Sequence, residues 1–380
     1  MTASRHFSET YQEAQQRFLD AARSQEAEVT AYHNPHGTGP NGEPLVLHTA
    51  WIGPRDATTV LLNLSGTHGA EGFPGSAAQT LWLTHRGAAS LPAGTAALFI
   101  HAVNPFGFAW MLRGTENNVD LNRNWLDHSE PLPENPLYDA VHDLLCPKSL
   151  DDKAMQLLMA RGADLIEKHG QWALEDAISR GQYTHPDGFH FGGHATEWST
   201  RTLQEIVGKE LAGARRVAFI DWHSGPVGNG ELIFLCFSDP QSAAFGRAAD
   251  WWGRRNLDPS TVDRLGGSKR PTRRGIVFWG VEQALQPHAE MTGAVIEFRS
   301  ASPKPNPALA LRASMLERWL RFEGGLDAPE SAAFREEIRA DYAPRRRSWE
   351  ETVTQNALLV YDQTLAGMAH WAAGAPAQSA

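Results

Sequence analysis

The sequence has little cysteine. Its 380 residues include only Cys146 and Cys236, which are far apart and belong to no C-x-x-C pair. This argues against a disulfide framework and against a zinc site built on cysteine, and it favours a reducing compartment. No run approaches the roughly 18 consecutive apolar residues that span a membrane. Residues 1–25 are polar and charged, without the apolar centre of a secretory signal, so we expect a cytoplasmic protein with no membrane partner.

The sequence also lacks an excess of positive charge. Its 34 Lys and Arg residues face 44 Asp and Glu residues, and the formal net charge is −10. A nucleic-acid partner is not expected, because binding to phosphate backbones depends on cationic side chains. Two hydrolase signatures are missing as well. The absence of G-x-S-x-G disfavours a serine hydrolase, and the absence of H-E-x-x-H disfavours a thermolysin-type protease.

Short apolar runs alternate with amphipathic segments along the chain. This alternation predicts one α/β domain over residues 1–371, with a mixed, largely parallel central sheet flanked by helices. A helical insertion is expected at about residues 126–215, and a frayed tail at 372–380. The predicted strands cover residues 45–52, 60–64, 96–103, 217–220, 232–237 and 294–296, and the main predicted helices cover 8–25, 76–84, 151–180, 241–255, 308–322, 331–340 and 350–371.

Residues 37–42 match the pattern G-x-G-x-x-G of a dinucleotide-binding turn. That interpretation requires a strand before the glycines and a helix after them. We expect neither, because residues 34–42 form a turn-rich stretch and a strand follows. A dinucleotide site is therefore rejected.

Polar residues follow the predicted strands. Strand ends are where open α/β sheets bind ligands. Histidine nitrogens and carboxylate oxygens are the usual ligands of a catalytic zinc, which takes three protein groups and keeps one position open. The residues at these strand ends are His68, Glu71, Arg113, Asn122, Arg123, His223 and Glu297.

The order of these motifs resembles that of the zinc carboxypeptidase superfamily, which includes carboxypeptidase A and the aspartoacylase and succinylglutamate desuccinylase deacylases. The chain is more similar to a bacterial branch than to the digestive enzymes. The resemblance covers about residues 65–299. The matching motifs are His68-Gly69-Ala70-Glu71, Asn104-Pro105 with Arg113, Asp120-Leu121-Asn122-Arg123-Asn124-Trp125, His223-Ser224-Gly225 and Glu297-Phe298-Arg299.

The resemblance implies that His68, Glu71 and His223 bind zinc, and that Asp120 orients His68. It implies that Glu297 is the general base and acid, which takes a proton from water and returns it to the leaving nitrogen. Both roles agree with general chemistry. Zinc lowers the pKa of bound water from 15.7 to about 7, and a nearby carboxylate can then move the proton at neutral pH.

The resemblance further implies that Arg113 stabilises the oxyanion and that Asn122 and Arg123 bind a substrate carboxylate. The planar fork of arginine suits a carboxylate because it donates two parallel hydrogen bonds. Asp221 is a candidate for a second orienting carboxylate on geometry alone, since it lies two residues before His223 and on the same side if the strand continues.

Several interpretations stay open at this point. Arg123 could serve the oxyanion alone, leaving Arg113 in a structural ion pair. Asp120 could be only a turn residue. Glu297 could pair with Arg299, and Glu290 is a rival base.

Two further stretches stay open as well. The stretch from His185 to His194 carries three histidines, and we expect it to line the substrate cleft. An ordinary surface loop and a second metal site are the alternatives, although the spacing fits no standard metal site. A basic cluster is expected to be a solvated loop, or else to bind an anionic substrate end. Its members are Lys269, Arg270, Arg273 and Arg274. The tyrosine that caps substrates in the digestive enzymes cannot be placed.

The leading hypothesis is a zinc hydrolase that cleaves an amide bond next to a free carboxylate, with a small peptide as its substrate. The second keeps the metal site but makes the chain an N-acyl amino acid deacylase or esterase. The third, from another class, is a non-catalytic binding protein. Sites of histidine and carboxylate accept several divalent ions, so zinc is itself a hypothesis.

Overall fold

The computed structural model describes residues 6–225, 228–257, 272–300 and 311–374. Seven strands form one mixed sheet in the order β1-β2-β4-β3-β5-β7-β6, and the predicted α/β fold class is confirmed. The strands are β1 (Glu28–Thr38), β2 (Pro44–Ile52), β3 (Thr59–Ser65), β4 (Thr95–His101), β5 (Arg216–Ser224), β6 (Leu232–Leu235) and β7 (Glu290–Phe298).

The centre of the sheet is parallel. Strands β4, β3, β5 and β7 run in one direction, while β1, β2 and β6 pair antiparallel at the two edges. In the β5–β7 pair, His223 lies opposite Glu297. The carboxyl ends of the four parallel strands therefore meet at one edge of the sheet, which is where open α/β sheets bind ligands.

Helices cover both faces of the sheet. Consecutive residues of a strand pack into different cores, so that Leu61 and Leu62 of β3 belong to separate clusters. This explains why the central strands read as continuous apolar runs. The helices are α1 (Tyr11–Ser24), α2 (Gly72–His85), α3 (Pro105–Trp110), α4 (Tyr138–Leu145), α5 (Asp152–His169), α6 (Gln171–Ser179), α7 (Trp198–Glu210), α8 (Ala243–Trp252), α9 (Arg254–Leu257), α10 (Val277–Leu285), α11 (Arg312–Phe322), α12 (Ser331–Tyr342) and α13 (Arg347–Ala372).

The segment predicted as a helical insertion contains α4 to α7. A small core around Tyr138, Leu145 and Leu174 joins α4, α5 and α6, and Met315 of α11 also belongs to it. Helix α5 buries only Leu158 among its 18 residues. The extent of the insertion and the single-domain assignment stay predictions.

Some local predictions were wrong. Strand β1 extends to Thr38 and includes Gly37, although residues 34–42 were expected to form a turn-rich stretch with no strand before the glycines. The dinucleotide interpretation still fails, because strand β2 follows those glycines where a helix would be required. The helix predicted over residues 151–180 is broken at Gly170, whose φ of 83° lies in the left-handed region.

Two predicted segments fall partly outside the described residues, namely 308–310 of a helix and 375–380 of the tail. In the part of the chain that the structure describes, no helix combines the length and the apolar character needed to cross a bilayer.

Candidate metal centre

The turn after β3 brings His68 and Glu71 to the same side. Gly69 to Glu71 form a single 3₁₀ turn that leads into α2. The backbone N–H groups of Gly69 and Ala70 donate to the carbonyls of Arg113 and Leu112. A Cβ on Gly69 would lie 1.9 Å from the Gly107 carbonyl carbon. The turn therefore requires glycine at this position, and it packs tightly against the start of α3.

Strand β5 brings His223 to this turn. Glu71 Oε1 lies 3.0 Å from His68 Nδ1, and Glu71 Oε2 lies 2.9 Å from His223 Nδ1. The two imidazole centroids are 4.7 Å apart at 80°. One ligand atom from each of the three residues lies within 4.8 Å of the others. The structure thus brings together the three residues predicted as metal ligands, and all three are buried.

The outer nitrogen of each imidazole faces an aspartate. His68 Nε2 lies 3.1 Å from Asp120 Oδ1, and His223 Nε2 lies 2.9 Å from Asp221 Oδ2. A carboxylate at Nε2 favours the tautomer with its proton there, which leaves the Nδ1 lone pair directed at the centre. Both predicted orienting contacts are therefore present. Asp120 also accepts the N–H of Asn122, so it is a turn residue as well.

The centre requires positive charge. Two Nδ1 lone pairs facing carboxylate oxygens at about 3 Å are repulsive unless a proton or a metal ion lies between them. Although burial opposes it, the carboxylates of Asp221 and Glu71 hold the pKa of His223 well above its ordinary value. Burial also opposes ionisation of Glu71, but the two imidazoles lower its pKa. Two nitrogens and a carboxylate with oriented partners fit a divalent ion such as zinc.

Arg113 lies beside the centre. Its Nη1 is 3.1 Å from Glu71 Oε1, and its Nε is 3.2 Å from Asp120 Oδ2. Asn104 holds this segment in place, because its Nδ2 donates to the Arg113 carbonyl while its Oδ1 caps α3 at Gly107. The Arg113 side chain is 23% exposed. A fixed guanidinium at the rim of the centre can donate to a developing negative oxygen.

Glu297 lies beside His223 on the neighbouring strand. Burial and the charge of Glu71 raise the pKa of its carboxyl group. No hydrogen bond or ion pair ties it to another described residue, Arg299 included. The rival base Glu290 lies at the opposite end of β7, where its exposed carboxylate pairs with Arg247 at 2.9 Å. The structure therefore brings Glu297 to the site and leaves Glu290 away from it.

The residues predicted to bind a substrate carboxylate are more deeply buried than Arg113. Arg123 donates from Nη1 and Nη2 to the carbonyls of Asn122 and Ser179, and burial lowers its pKa to about 10. Asn122 accepts the N–H of Val277. Arg273, from the predicted basic cluster, is close enough that its charge lowers the pKa of both Arg123 and Glu297. Lys269 and Arg270 lie outside the described residues.

Two residues of the site were not identified from the sequence. His190 donates from Nδ1 to Asp120 Oδ2 at 2.9 Å, and it lines a cleft with Arg113, Phe189 and Glu317. Burial lowers the pKa of His190 to about 4, so its imidazole is neutral. The second residue, Tyr342, ends α12 near enough to Arg113 and Glu71 for their charges to act on its buried hydroxyl.

A partial signal for His190 existed, since the stretch from His185 to His194 was expected to line the cleft. Phe189 and His190 line a cleft beside Arg113, and its use by a substrate stays a prediction. For Tyr342 we find no sequence signal, because the end of a distant helix reaches the site only through the tertiary fold.

The chain matches one family model and is similar to several solved structures. The family model described as "Protein of unknown function (DUF2817)" matches residues 7–356. No curated protein matches the sequence. Among solved structures, carboxypeptidase A from Helicoverpa armigera is 12% identical, over 89% of this chain and 74% of that chain, with a TM-score of 0.45.

The chain is similar to two further solved structures. A metallo-carboxypeptidase from Pseudomonas aeruginosa, in complex with (2-guanidinoethylmercapto)succinic acid, is 12% identical over 92% of this chain and 68% of that chain, with a TM-score of 0.41. The succinylglutamate desuccinylase from Chromobacterium violaceum is 17% identical over 80% of this chain and 75% of that chain, with a TM-score of 0.32. At these values the activity has to be argued from the chain's own site.

Proposed function

The chain belongs to the DUF2817 family, and we propose that it is a zinc-dependent hydrolase that cleaves an amide bond next to a free carboxylate. The observation that carries this proposal is the convergence of His68, Glu71 and His223, with ligand atoms within 4.8 Å of one another. Glu297 lies beside this centre, opposite His223 in the β5–β7 pair. A set of metal ligands and a carboxylate that pairs with no described residue, both at one strand edge, are the minimum that metal-assisted hydrolysis requires.

The three ligands would hold the ion through His68 Nδ1, a Glu71 oxygen and His223 Nδ1. When bound, a zinc ion polarises a carbonyl group and lowers the pKa of a water molecule to about 7. Asp120 and Asp221 keep the imidazoles in the tautomer that offers Nδ1. These contacts make the centre rigid, so that little reorganisation accompanies binding.

Glu297 acts as the base and then as the acid. Its carboxylate accepts a proton from the attacking water and returns it to the leaving nitrogen. A general base is most effective when its pKa lies near the operating pH, and the raised pKa of Glu297 moves it in that direction. The lack of a hydrogen bond from any described residue leaves its oxygens available for this transfer.

Arg113 stabilises the negative oxygen that develops on the substrate carbonyl. Its guanidinium is held by Glu71 and Asp120 and is more exposed than either carboxylate. Loss of one such donor typically raises the barrier by roughly 3–4 kcal/mol. Recognition of a substrate carboxylate falls to Asn122 and Arg123, and the nearby charge of Arg273 would add to the attraction for that anion.

The test is a paired substitution on strand β7. Glu297→Gln should lower kcat by about 100-fold to 10,000-fold, because a positioned base contributes that much. Its zinc content should be unchanged. Glu290→Gln is the matched control, since it makes the same chemical change on the same strand, away from the centre. The substrates are C-terminally varied blocked dipeptides and N-acyl amino acids, each with and without a free carboxylate.

The substrate panel separates the two enzyme hypotheses. Turnover of the dipeptides indicates a carboxypeptidase-like enzyme, and turnover of the acyl amino acids alone indicates a deacylase. Esters of the same acyl groups distinguish an esterase. Full activity in Glu297→Gln would show that the base is misassigned. Failure of zinc-loaded protein on every substrate would favour the non-catalytic binding protein.

A further inference from the structure

A second group of metal-ligating side chains lies in the helical segment, away from the centre described above. It consists of His142 on α4 together with His185 and Asp187 on the irregular loop between α6 and α7, and we call it the loop cluster. We propose that the loop cluster binds a second divalent cation, which fixes this loop against α4. The inference does not depend on the proposed hydrolase activity.

The loop cluster has the spacing of a metal site. One ligand atom from each of His142, His185 and Asp187 lies within 4.8 Å of the others. The two imidazole rings stack with centroids 4.0 Å apart and planes at 23°. His142 Nε2 is 3.6 Å from Asp187 Oδ1. Two imidazoles and a carboxylate form a donor set that suits zinc and similar divalent ions.

Neighbouring groups contact the nitrogen and oxygen atoms of these side chains that point away from the middle of the loop cluster. His185 Nε2 contacts Asp139 Oδ1 at 2.8 Å, and Asp187 Oδ2 accepts from Arg318 Nη2 at 2.8 Å. His142 Nδ1 faces the Cys146 sulfur at 3.7 Å. One nitrogen of each ring and one oxygen of Asp187 remain for an ion. At His185 the arrangement is similar to that of the first centre, where a carboxylate contacts the outer nitrogen of each imidazole.

The charges of the loop cluster also favour a cation. If both stacked rings were protonated, two like charges would lie about 4 Å apart. Two neutral imidazoles that bind one divalent ion through their inner nitrogens avoid this repulsion, and the charge of the ion attracts the Asp187 carboxylate. The side chains are partly exposed, at 15% for His142, 29% for His185 and 36% for Asp187, so an ion can enter from solvent.

The loop links the two centres. Its ends are joined through Gln182, which pairs with His190 and Gly192 through backbone hydrogen bonds. Five residues after His185, His190 contacts Asp120, and Asp120 contacts His68. A cation in the loop cluster would therefore hold in place the loop that carries a wall of the cleft. The expected role is structural.

The experiment measures zinc binding to the full chain after chelation and dialysis. Calorimetric titration and metal analysis should give two Zn²⁺ per wild-type chain. His185→Gln should bind one, and His142→Gln should also bind one. His33→Gln is the matched control, because it removes an exposed histidine on β1 that belongs to neither cluster, and it should bind two.

A variant of the first centre makes the result independent of the proposed function. His68→Gln with His223→Gln should still bind one Zn²⁺, and adding His185→Gln should abolish binding. Zinc should raise the thermal midpoint of the double variant but not that of the triple variant. A wild-type stoichiometry of one that is lost with His68 and His223 would overturn the proposal, as would a second ion that survives His185→Gln.

Discussion

At the scale of single residues, Asp221 determines which nitrogen of His223 faces the centre. Its fully buried carboxylate accepts from the Thr67 hydroxyl at 2.9 Å and contacts His223 Nε2 at 2.9 Å. Asp221→Asn removes the charge and disturbs the tautomer, so we expect zinc affinity to fall about 10-fold to 100-fold. Competition with a chromophoric chelator measures this affinity.

Thr67→Val is the control for that experiment. It removes the hydroxyl that supports Asp221 and leaves the carboxylate at His223, so its loss of affinity should be smaller. Wild-type affinity in Asp221→Asn would mean that the aspartate does not orient the ligand.

The raised pKa of Glu297 predicts that the free energy of unfolding depends on pH. Burial, followed by the charge of Glu71, raises its pKa in the folded chain. The folded state therefore binds this proton more tightly than the unfolded state, and stability falls as pH rises through the interval between the two pKa values. Glu297→Gln has no such group. Its free energy of unfolding should exceed that of the wild type at neutral pH, and the difference should vanish near pH 4, about the ordinary glutamate value.

Urea unfolding of chelator-treated proteins across this pH range checks the sign. Glu290→Gln, with its exposed carboxylate, should show little of this difference. A Glu297→Gln variant that is less stable than the wild type at neutral pH would contradict the claim that burial of the charged Glu297 carboxylate destabilises the folded state.

The sequence identified the residues at the centre better than those around it. His68, Glu71, His223 and Glu297 follow apolar runs, and such runs become parallel strands whose carboxyl ends meet. His190 could not be assigned in this way. Its φ of 49° and its contact with Asp120 depend on the path of an irregular loop, which no periodicity encodes.

At the scale of elements, close packing of the turn after β3 sets the distance from His68 to Glu71. We expect Gly69→Ala to destabilise the fold by about 1–3 kcal/mol, because a Cβ would overlap the backbone of Gly107 and Phe108. Zinc affinity should fall with it, since the turn carries two ligands. Denaturant unfolding and zinc titration measure the two effects.

The control for this glycine is Gly246→Ala in α8. A Cβ there meets nothing within 4 Å, and alanine is the better helix former by about 0.5–1 kcal/mol. Gly246→Ala should therefore be neutral or stabilising, with unchanged zinc affinity. Equal behaviour of the two variants would contradict the role assigned to the turn.

Strand pairing also sets the distance from the ligands to the base. Gly293 lets β7 approach β5 closely, since a Cβ there would lie 2.3 Å from the Phe219 carbonyl oxygen. The register that follows places Glu297 opposite His223. A shift of one residue would turn Glu297 to the other face of the sheet.

Elements with clear apolar periodicity were predictable, and the others were not. Strand β1 is mostly exposed and contains Pro35, so it lacks the apolar run that identifies β3 or β5. Helix α10 reads Val-Phe-Trp-Gly-Val, which resembles a strand as much as a buried helix. Its assignment depends on packing against the sheet.

At the scale of the whole molecule, the centre is assembled from distant parts of the chain. The strand order places β3 between β4 and β5, so residues 68, 113, 223 and 297 converge although 229 positions separate the first from the last. Alternation of strands and helices predicts a sheet of this class. It does not predict the order of the strands, which depends on long-range pairing.

The central claim is that one cation joins these segments. Crystals of the full chain grown with zinc, measured at the zinc absorption edge, test it most directly. We predict an anomalous peak bonded to His68 Nδ1, Glu71 and His223 Nδ1, with Glu297 beside it. Zinc-supplied crystals with no peak at these three side chains, and with the two imidazoles turned away from each other, would contradict the account.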